Sequence, residues 1–161
     1  MSGTHPFLLG EFRRTLDDRY RLSIPSELAD PLCAESSDCL LAKERPGCLS
    51  LWSAPVWESK WNAGVELVRQ KLAAGRLEGR FAAVQRLGRL LSTRHKAIQL
   101  AGRGRLLVPE GFREFLAVEP GGEVLVVGAA VCVELWEPQK WREYLAGQMP
   151  RFGRLFDRLS Q

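Results

Sequence analysis

Short runs in which apolar and polar residues alternate, each followed by turn-forming residues, occupy both ends of the chain, while stretches of helical spacing fill the middle. Residues 11–16 alternate as a strand does, Asp17 to Tyr20 supply a polar turn, and residues 21–24 form a second strand stopped by Pro25, which cannot donate to a ladder. Pro25-Ser26-Glu27-Leu28 then opens a short helix, with the proline in the first turn where a missing N–H costs little. Two more strands, residues 39–42 and 48–52, are joined through Arg45-Pro46-Gly47. Trp57, Trp61, Val65, Val68 and Leu72 predict a helix over residues 55–72, with Ser53 as its N-cap. Gly75 interrupts the pattern, and a second helix over 77–91 puts Phe81, Val84, Gly88 and Leu91 on one stripe, with Arg80, Arg86 and Arg89 largely off it.

The same order of elements then recurs. From Pro109 through Phe112 to Leu116 a short helix is expected again, followed by strands at 123–127 and 131–136 and a helix at 138–146. Residues 151–159, with Phe152, Leu155, Phe156 and Leu159, read as a last amphipathic turn or two, whose stripe is expected in the core or in a subunit contact. At an offset of 84, without a gap, residues 16–57 align with 100–141, and 12 of the 42 pairs are identical. Among them are Leu16/Leu100, Arg19/Arg103, Arg21/Arg105, Leu22/Leu106, Pro25/Pro109, Leu41/Leu125, Cys48/Cys132, Trp52/Trp136 and Trp57/Trp141. Chance would supply about three at ordinary composition, so the halves are homologous modules. The expected organisation is an arm at 1–9, modules at 10–57 and 93–145, a helical connector at 58–92 and a C-terminal helix at 146–161. Four strands and a helix cannot bury both faces of so small a sheet, so each module is expected to intertwine with its twin or with another chain.

Composition refines this picture at three points. The 161 residues are 45% hydrophobic, an ordinary globular balance, and the longest apolar run, 124–133, is about half the roughly 20 residues a membrane helix requires. The start of the chain does not have the order of a secretory signal, which leads us to expect a cytosolic protein. Cys33, Cys39, Cys48 and Cys132 form no CxxC pair, and His5 and His95 have no ligand-like spacing to them, so we expect no metal and read the cysteines as small buried hydrophobes. The net charge of +4 is unevenly placed: residues 76–105 hold eight Lys/Arg against Glu78 alone, and 18 of the 23 cations in the chain are arginine. Arginine's planar fork suits phosphate, although a basic stretch is often just a solvated helix face.

Gly10-Glu11-Phe12, then Thr15-Leu16-Asp17-Asp18-Arg19-Tyr20-Arg21-Leu22-Ser23-Ile24-Pro25, then a Leu-Trp strand, all repeated about 80 residues later, resembles the bacterial MraZ family. The resemblance covers residues 10–145. It implies an α+β fold in which two small pseudo-repeated β-hairpin modules form an intertwined swapped-hairpin barrel related to AbrB, with helices between and after them. The function it implies is sequence-specific binding to double-stranded DNA, at repeated promoter boxes upstream of division and cell-wall genes, by a ring-like homo-oligomeric repressor in the cytoplasm and nucleoid. No cofactor, small-molecule substrate or membrane is implied.

The family's Asp-x-x-x-Arg signature maps onto Asp17 and Arg21, with Tyr20 in the place usually held by glycine; in the second half Gly104 and Arg105 match and Ala101 replaces the aspartate. The DNA-contacting residues implied are Arg14, Arg19, Arg21, Arg103 and Arg105, with Asp17 bracing the turn and Arg13 as a further contributor. Against this stands the reading that these arginines merely pair with acids such as Asp17 and Asp18. An oligomeric scaffold that has lost DNA binding is the competing class. An enzyme is not expected, because no nucleophile has a positioned base.

Overall fold

The computed structural model describes residues 7–161, so His5 and the first six positions of the expected arm lie outside the described residues. The first half builds β1 (Leu8–Thr15), β2 (Arg21–Ser23), α1 (Ser26–Leu32), β3 (Asp38–Arg45), β4 (Cys48–Ser53) and α2 (Ala54–Ala73). A 3₁₀ turn at Glu78–Arg80 leads into α3 (Phe81–Arg94), and the second half follows. It comprises β5 (His95–Gln99), a 3₁₀ turn at Gly102–Gly104, β6 (Arg105–Leu107), α4 (Glu110–Leu116), β7 (Glu123–Ala130), β8 (Val133–Trp136) and α5 (Pro138–Gln148), closed by a 3₁₀ turn at Met149–Arg151 and α6 (Phe152–Ser160). The fold is α+β with antiparallel sheets.

Strand order decides how the halves combine. The six-stranded sheet runs β1-β7-β8-β4-β3-β5, and β2 pairs with β6 in a separate ribbon. Strands of the two halves therefore meet at three seams of the large sheet, β1/β7, β8/β4 and β3/β5, and again in the ribbon. In the β4/β8 ladder Ser50 faces Glu134, and in the ribbon Leu22 faces Leu106. Both pairs stand 84 positions apart, so a local two-fold axis passes through both ladders, and the contact between the halves is isologous within one chain.

The core follows from that intertwining. One cluster unites Leu16, Leu22, Ile24, Leu28, Leu41, Leu49 and Leu51 with Leu106, Val108, Phe112, Leu116, Val124, Val126 and Leu135. Each fully buried leucine contributes about 2 kcal/mol, and neither half holds enough of them alone. On the opposite face of the sheet, α2 packs its own Trp57 on Ala42, Trp52 and Cys132, while Cys48, Leu125, Val127 and Trp136 pack with Trp141 and Tyr144 of α5. The two repeat-related cysteines thus each sit in the other half's aromatic cluster. Burial pushes the Cys132 thiol up to about 12 and that of Cys48 higher, so both behave as packing groups.

Several sequence expectations are corrected here. The gapless repeat equates Leu41 with Leu125, but β3 and β7 start 85 positions apart, at Asp38 and Glu123. Leu41 lies in the main core alongside Val126, whereas Leu125 faces the aromatic side. A slip of one residue sends every side chain of a strand to the other face. An irregularity in β3 between Lys43 and Arg45 takes up the extra residue, so Trp52 and Trp136 again match. Pro25 and Pro109 are N-caps with ψ of 142° and 153°, ahead of the first turns rather than inside them, and Ser53 caps α2 without a side-chain hydrogen bond. The stripe of α6 is not in the core: Phe152, Phe156 and Leu159 are 60, 59 and 75% exposed, because nothing among the described residues folds back over them.

Candidate nucleic-acid interface

The ribbon displays its arginines by simple alternation. Leu22 and Leu106 point into the core, so Arg21 and Ser23 on β2, and Arg105 and Leu107 on β6, point out. Their register, Arg21 opposite Leu107 and Ser23 opposite Arg105, places the two arginines at symmetric positions about the local axis. Arg14, Thr15, Asp17, Arg21, Leu22, Ser23 and Arg105 line a shallow depression of about 230 Å³ beside the ribbon. Three of the five expected contact residues, Arg14, Arg21 and Arg105, and the turn residue Asp17 are brought together there.

The other two arginines occupy the turns. Arg19 and Arg103 are exposed and outside the depression. Arg13 is directed away from it, toward Glu123 of the adjacent strand at 3.1 Å. Arg14 donates from Nη1 to the Arg13 carbonyl at 2.8 Å, with its guanidinium 5.9 Å from the Phe12 ring centroid. Among the described residues, Arg19, Arg103 and Arg105 have no carboxylate partner, and Arg21 meets only Asp17.

The first turn is organised by a carboxylate. Asp17 Oδ1 accepts the backbone N–H groups of Arg19 and Arg21, both at 2.8 Å, and Oδ2 accepts Arg21 Nε at 3.2 Å. The Arg21 backbone N–H, helped by that of Arg19 and by the Arg21 guanidinium, holds the Asp17 carboxyl below its ordinary range against an opposing desolvation. Tyr20 closes the turn at φ 59°, a left-handed conformation that tyrosine resists and glycine accepts freely. Two contacts hold it there: its carbonyl accepts the Val108 N–H at 2.9 Å, and the Arg113 guanidinium stacks 4.1 Å from its ring centroid.

The second turn has no carboxylate. Arg103 and Gly104 both take positive φ, 66° and 70°, and the Arg105 N–H bonds the Ala101 carbonyl at 3.3 Å. Gly104 repeats the cross-ribbon bond of Tyr20, its carbonyl accepting the Ile24 N–H at 2.8 Å. A Cβ at Gly104 would stand 2.6 Å from the Ile24 carbonyl oxygen and 3.0 Å from the Ala29 Cβ. Ala29 is the repeat counterpart of Arg113, so a large turn residue faces a large partner in one half and a small one faces a small partner in the other. Sequence reasoning missed Arg113; comparing it with Ala29 alongside Tyr20 and Gly104 would have signalled the exchange.

The arrangement presents exposed guanidinium groups, each with several fixed donors, from a rigid two-stranded ribbon. Such groups suit phosphate oxygens and, in a major groove wide enough for a ribbon, guanine edges. Among the described residues no group of three or more His, Cys, Asp or Glu could hold a metal ion, and no helix is long and apolar enough to cross a membrane.

Comparison with known proteins bears on this site. Residues 93–158 match the family described as "MraZ protein, putative antitoxin-like". The chain is 32% identical to the transcriptional regulator MraZ of Roseiflexus castenholzii over 140 residues, 86% of each chain. It is 34% identical to that of Methylobacillus flagellatus over 134 residues, 81% of this chain and 80% of the relative. The counterpart in Yersinia enterocolitica is 33% identical over 129 residues, 78% of this chain and 76% of the relative.

Proposed function

Since the chain belongs to the MraZ family, we propose that it is a sequence-specific DNA-binding transcriptional regulator that reads DNA through its β2·β6 ribbon. The observation that carries this reading is the symmetric, outward display of Arg21 and Arg105 beside Arg14, with the turns adding Arg19 and Arg103. The ribbon packed on the large sheet through Leu22 and Leu106 is a swapped-hairpin barrel of the AbrB kind, built by modules 10–57 and 93–145 around connector 58–92. Its targets are repeated boxes upstream of division and cell-wall genes, where it represses from the cytoplasm and nucleoid. A single ribbon reaches few phosphates, so useful affinity requires several subunits, arranged in a ring on direct repeats.

A mobility-shift titration on the DNA upstream of the protein's own gene tests this. Binding to DNA with several boxes is expected to fall steeply with salt and to exceed binding to a single box by one or more orders of magnitude. The double variant Arg21→Ala/Arg105→Ala is expected to lose binding while keeping its assembly. Unchanged DNA binding by that variant would remove the ribbon as the reader and favour an oligomeric scaffold, a reading to which the weaker second turn at Ala101 lends some support.

A further inference from the structure

The C-terminal helices carry two rows of side chains to which DNA reading gives no role. In α6, Phe152, Leu155, Phe156 and Leu159 recur at the i, i+3, i+4, i+7 spacing that sets side chains on one side of a helix. Phe152 and Phe156 lie against each other with ring centroids 5.8 Å apart, and Leu155 is 44% exposed, so the whole stripe stands in water.

A row of cations accompanies it. Arg151, Arg154 and Arg158 each precede a stripe residue by one position, which on a helix is about 100° of rotation, so they run along one flank of the stripe. They line a groove of about 550 Å³ between α5 and α6, whose other wall includes Tyr144 and Leu145. None of the three has a carboxylate partner among the described residues, and Asp157, the only acid after Glu143, is turned away from the stripe. The groove is firmly placed. Trp141 and Tyr144 fix α5 against Trp136, on the face of the large sheet opposite the β2·β6 ribbon.

We propose that α6 lies in the surface of an anionic phospholipid bilayer, with its Phe/Leu stripe among the acyl chains and the groove arginines on lipid phosphates. The two rows together select the occupant. A soluble phosphate would satisfy the guanidinium groups and leave Phe156 and Leu159, which are outside the groove, in water. A neutral apolar partner would cover the stripe and leave the adjoining cations without counter-charge. A bilayer with anionic headgroups supplies acyl chains and phosphates at neighbouring depths along a straight line, which matches a row of cations set beside an apolar row. Lying in the interface requires no spanning helix, only a sharply two-sided segment. α6 has nine residues, so the hold of one copy is weak and reversible. Because α5 and the ribbon pack on opposite faces of the sheet, membrane and DNA address different sides of the molecule.

Flotation of the full chain with vesicles tests this. With phosphatidylcholine and phosphatidylglycerol in equal parts, the protein is expected to float about tenfold more than with phosphatidylcholine alone, and less as salt rises. Arg154→Glu/Arg158→Glu and, separately, Phe156→Ser/Leu159→Ser are each expected to cut the floated fraction about tenfold, without change in melting temperature or in mass on a sizing column. Arg21→Ala/Arg105→Ala is expected to float like wild type while losing DNA binding, so the two readings fail separately. If that ribbon variant no longer floats, the ribbon meets the lipid charge and the proposal falls. It falls equally if the stripe variant floats like wild type, because the attraction is then charge alone, or if the stripe variant loses mass, because the stripe is then a subunit contact. A wild type that does not float with anionic vesicles leaves the stripe to a protein partner and overturns the proposal, whatever becomes of DNA binding.

Discussion

At Asp17–Arg21 one carboxylate accepts two backbone N–H groups and a guanidinium, and a tyrosine is held at φ 59° by an arginine stacked on its ring. At the matching place 84 residues later, Ala101 has no carboxylate to offer and glycine takes the left-handed position without strain. Equivalent cross-ribbon bonds to Ile24 and Val108 are reached by side-chain bracing in one half and, in the other, by two successive left-handed residues, Arg103 and Gly104. The difference teaches that the ribbon register and the buried Leu22–Leu106 pair define the turn, while local residues only make it cheaper or dearer. It also identifies the braced copy as the better preorganised of the two arginine pairs.

Exchanging the turn residues should break the comparison most severely. Gly104→Tyr forces a Cβ against the Ile24 carbonyl and Ala29 and is expected to cost about 3 kcal/mol or more, read as a fall in urea midpoint. The reverse change, Tyr20→Gly, trades a lost ring contact with Arg113 for relief of the left-handed strain and should stay within about 1 kcal/mol of wild type. Equal losses in the two variants would show that the paired sizes Tyr20/Arg113 and Gly104/Ala29 do not matter.

A smaller effect is expected from moving the carboxylate. Asp17→Ala should lower the melting temperature and weaken DNA binding severalfold, whereas Ala101→Asp should stabilise by about 0.5–1 kcal/mol by offering a carboxylate to the Arg103 N–H and to the Arg105 N–H, which now makes only a long bond to the Ala101 carbonyl. Because its native pKa is lowered, Asp17 contributes stability that is fully present above the ordinary carboxylate value of about 4 and is lost as pH falls through the native one. A melting curve against pH should therefore flatten in that acid window in Asp17→Ala. If both proteins keep the same acid slope, the carboxylate is not bracing the turn.

The smallest effect concerns the other ladder on the axis, where the repeat sets Glu134 opposite Ser50. Ser50 is fully buried and satisfied by Trp52 Nε1 at 2.8 Å and Glu44 at 2.5 Å; Glu134 accepts Trp136 Nε1 at 2.9 Å, but burial raises its pKa, with Glu44 adding repulsion. The favourable contribution of a raised carboxyl is present below its unfolded value and is lost as pH rises through the native one. Glu134→Gln, which retains an acceptor for Trp136, should thus be slightly more stable than wild type at neutral pH and indistinguishable at low pH. A destabilised Gln variant at neutral pH would mean that the ionised form has a structural role.

Much of the site was legible because its signals are local or repeated. Arg21-Leu22 and Arg105-Leu106 announce an outward arginine and an inward leucine by alternation alone, and the duplication makes both copies visible. The stacking of Arg113 on Tyr20 was not legible in that way, since the two residues come from different modules. Nor was the one-residue slip of β3, because the coincidental identity of Leu41 and Leu125 favoured a gapless alignment over the true facing of the strand.

The sequence by itself determined which segments are strands and helices, that the chain is duplicated, and which arginines flank each turn, because alternation, turn chemistry and proline act over a few residues. Only the tertiary structure decided that β1 pairs with β7 and β5 with β3, that Cys48 and Cys132 exchange sides, and that Phe81 of α3 and the stripe of α6 stay exposed among the described residues. Those outcomes depend on which buried surfaces fit one another across the local two-fold, and a hydrophobic pattern specifies that a face must be buried without specifying against what.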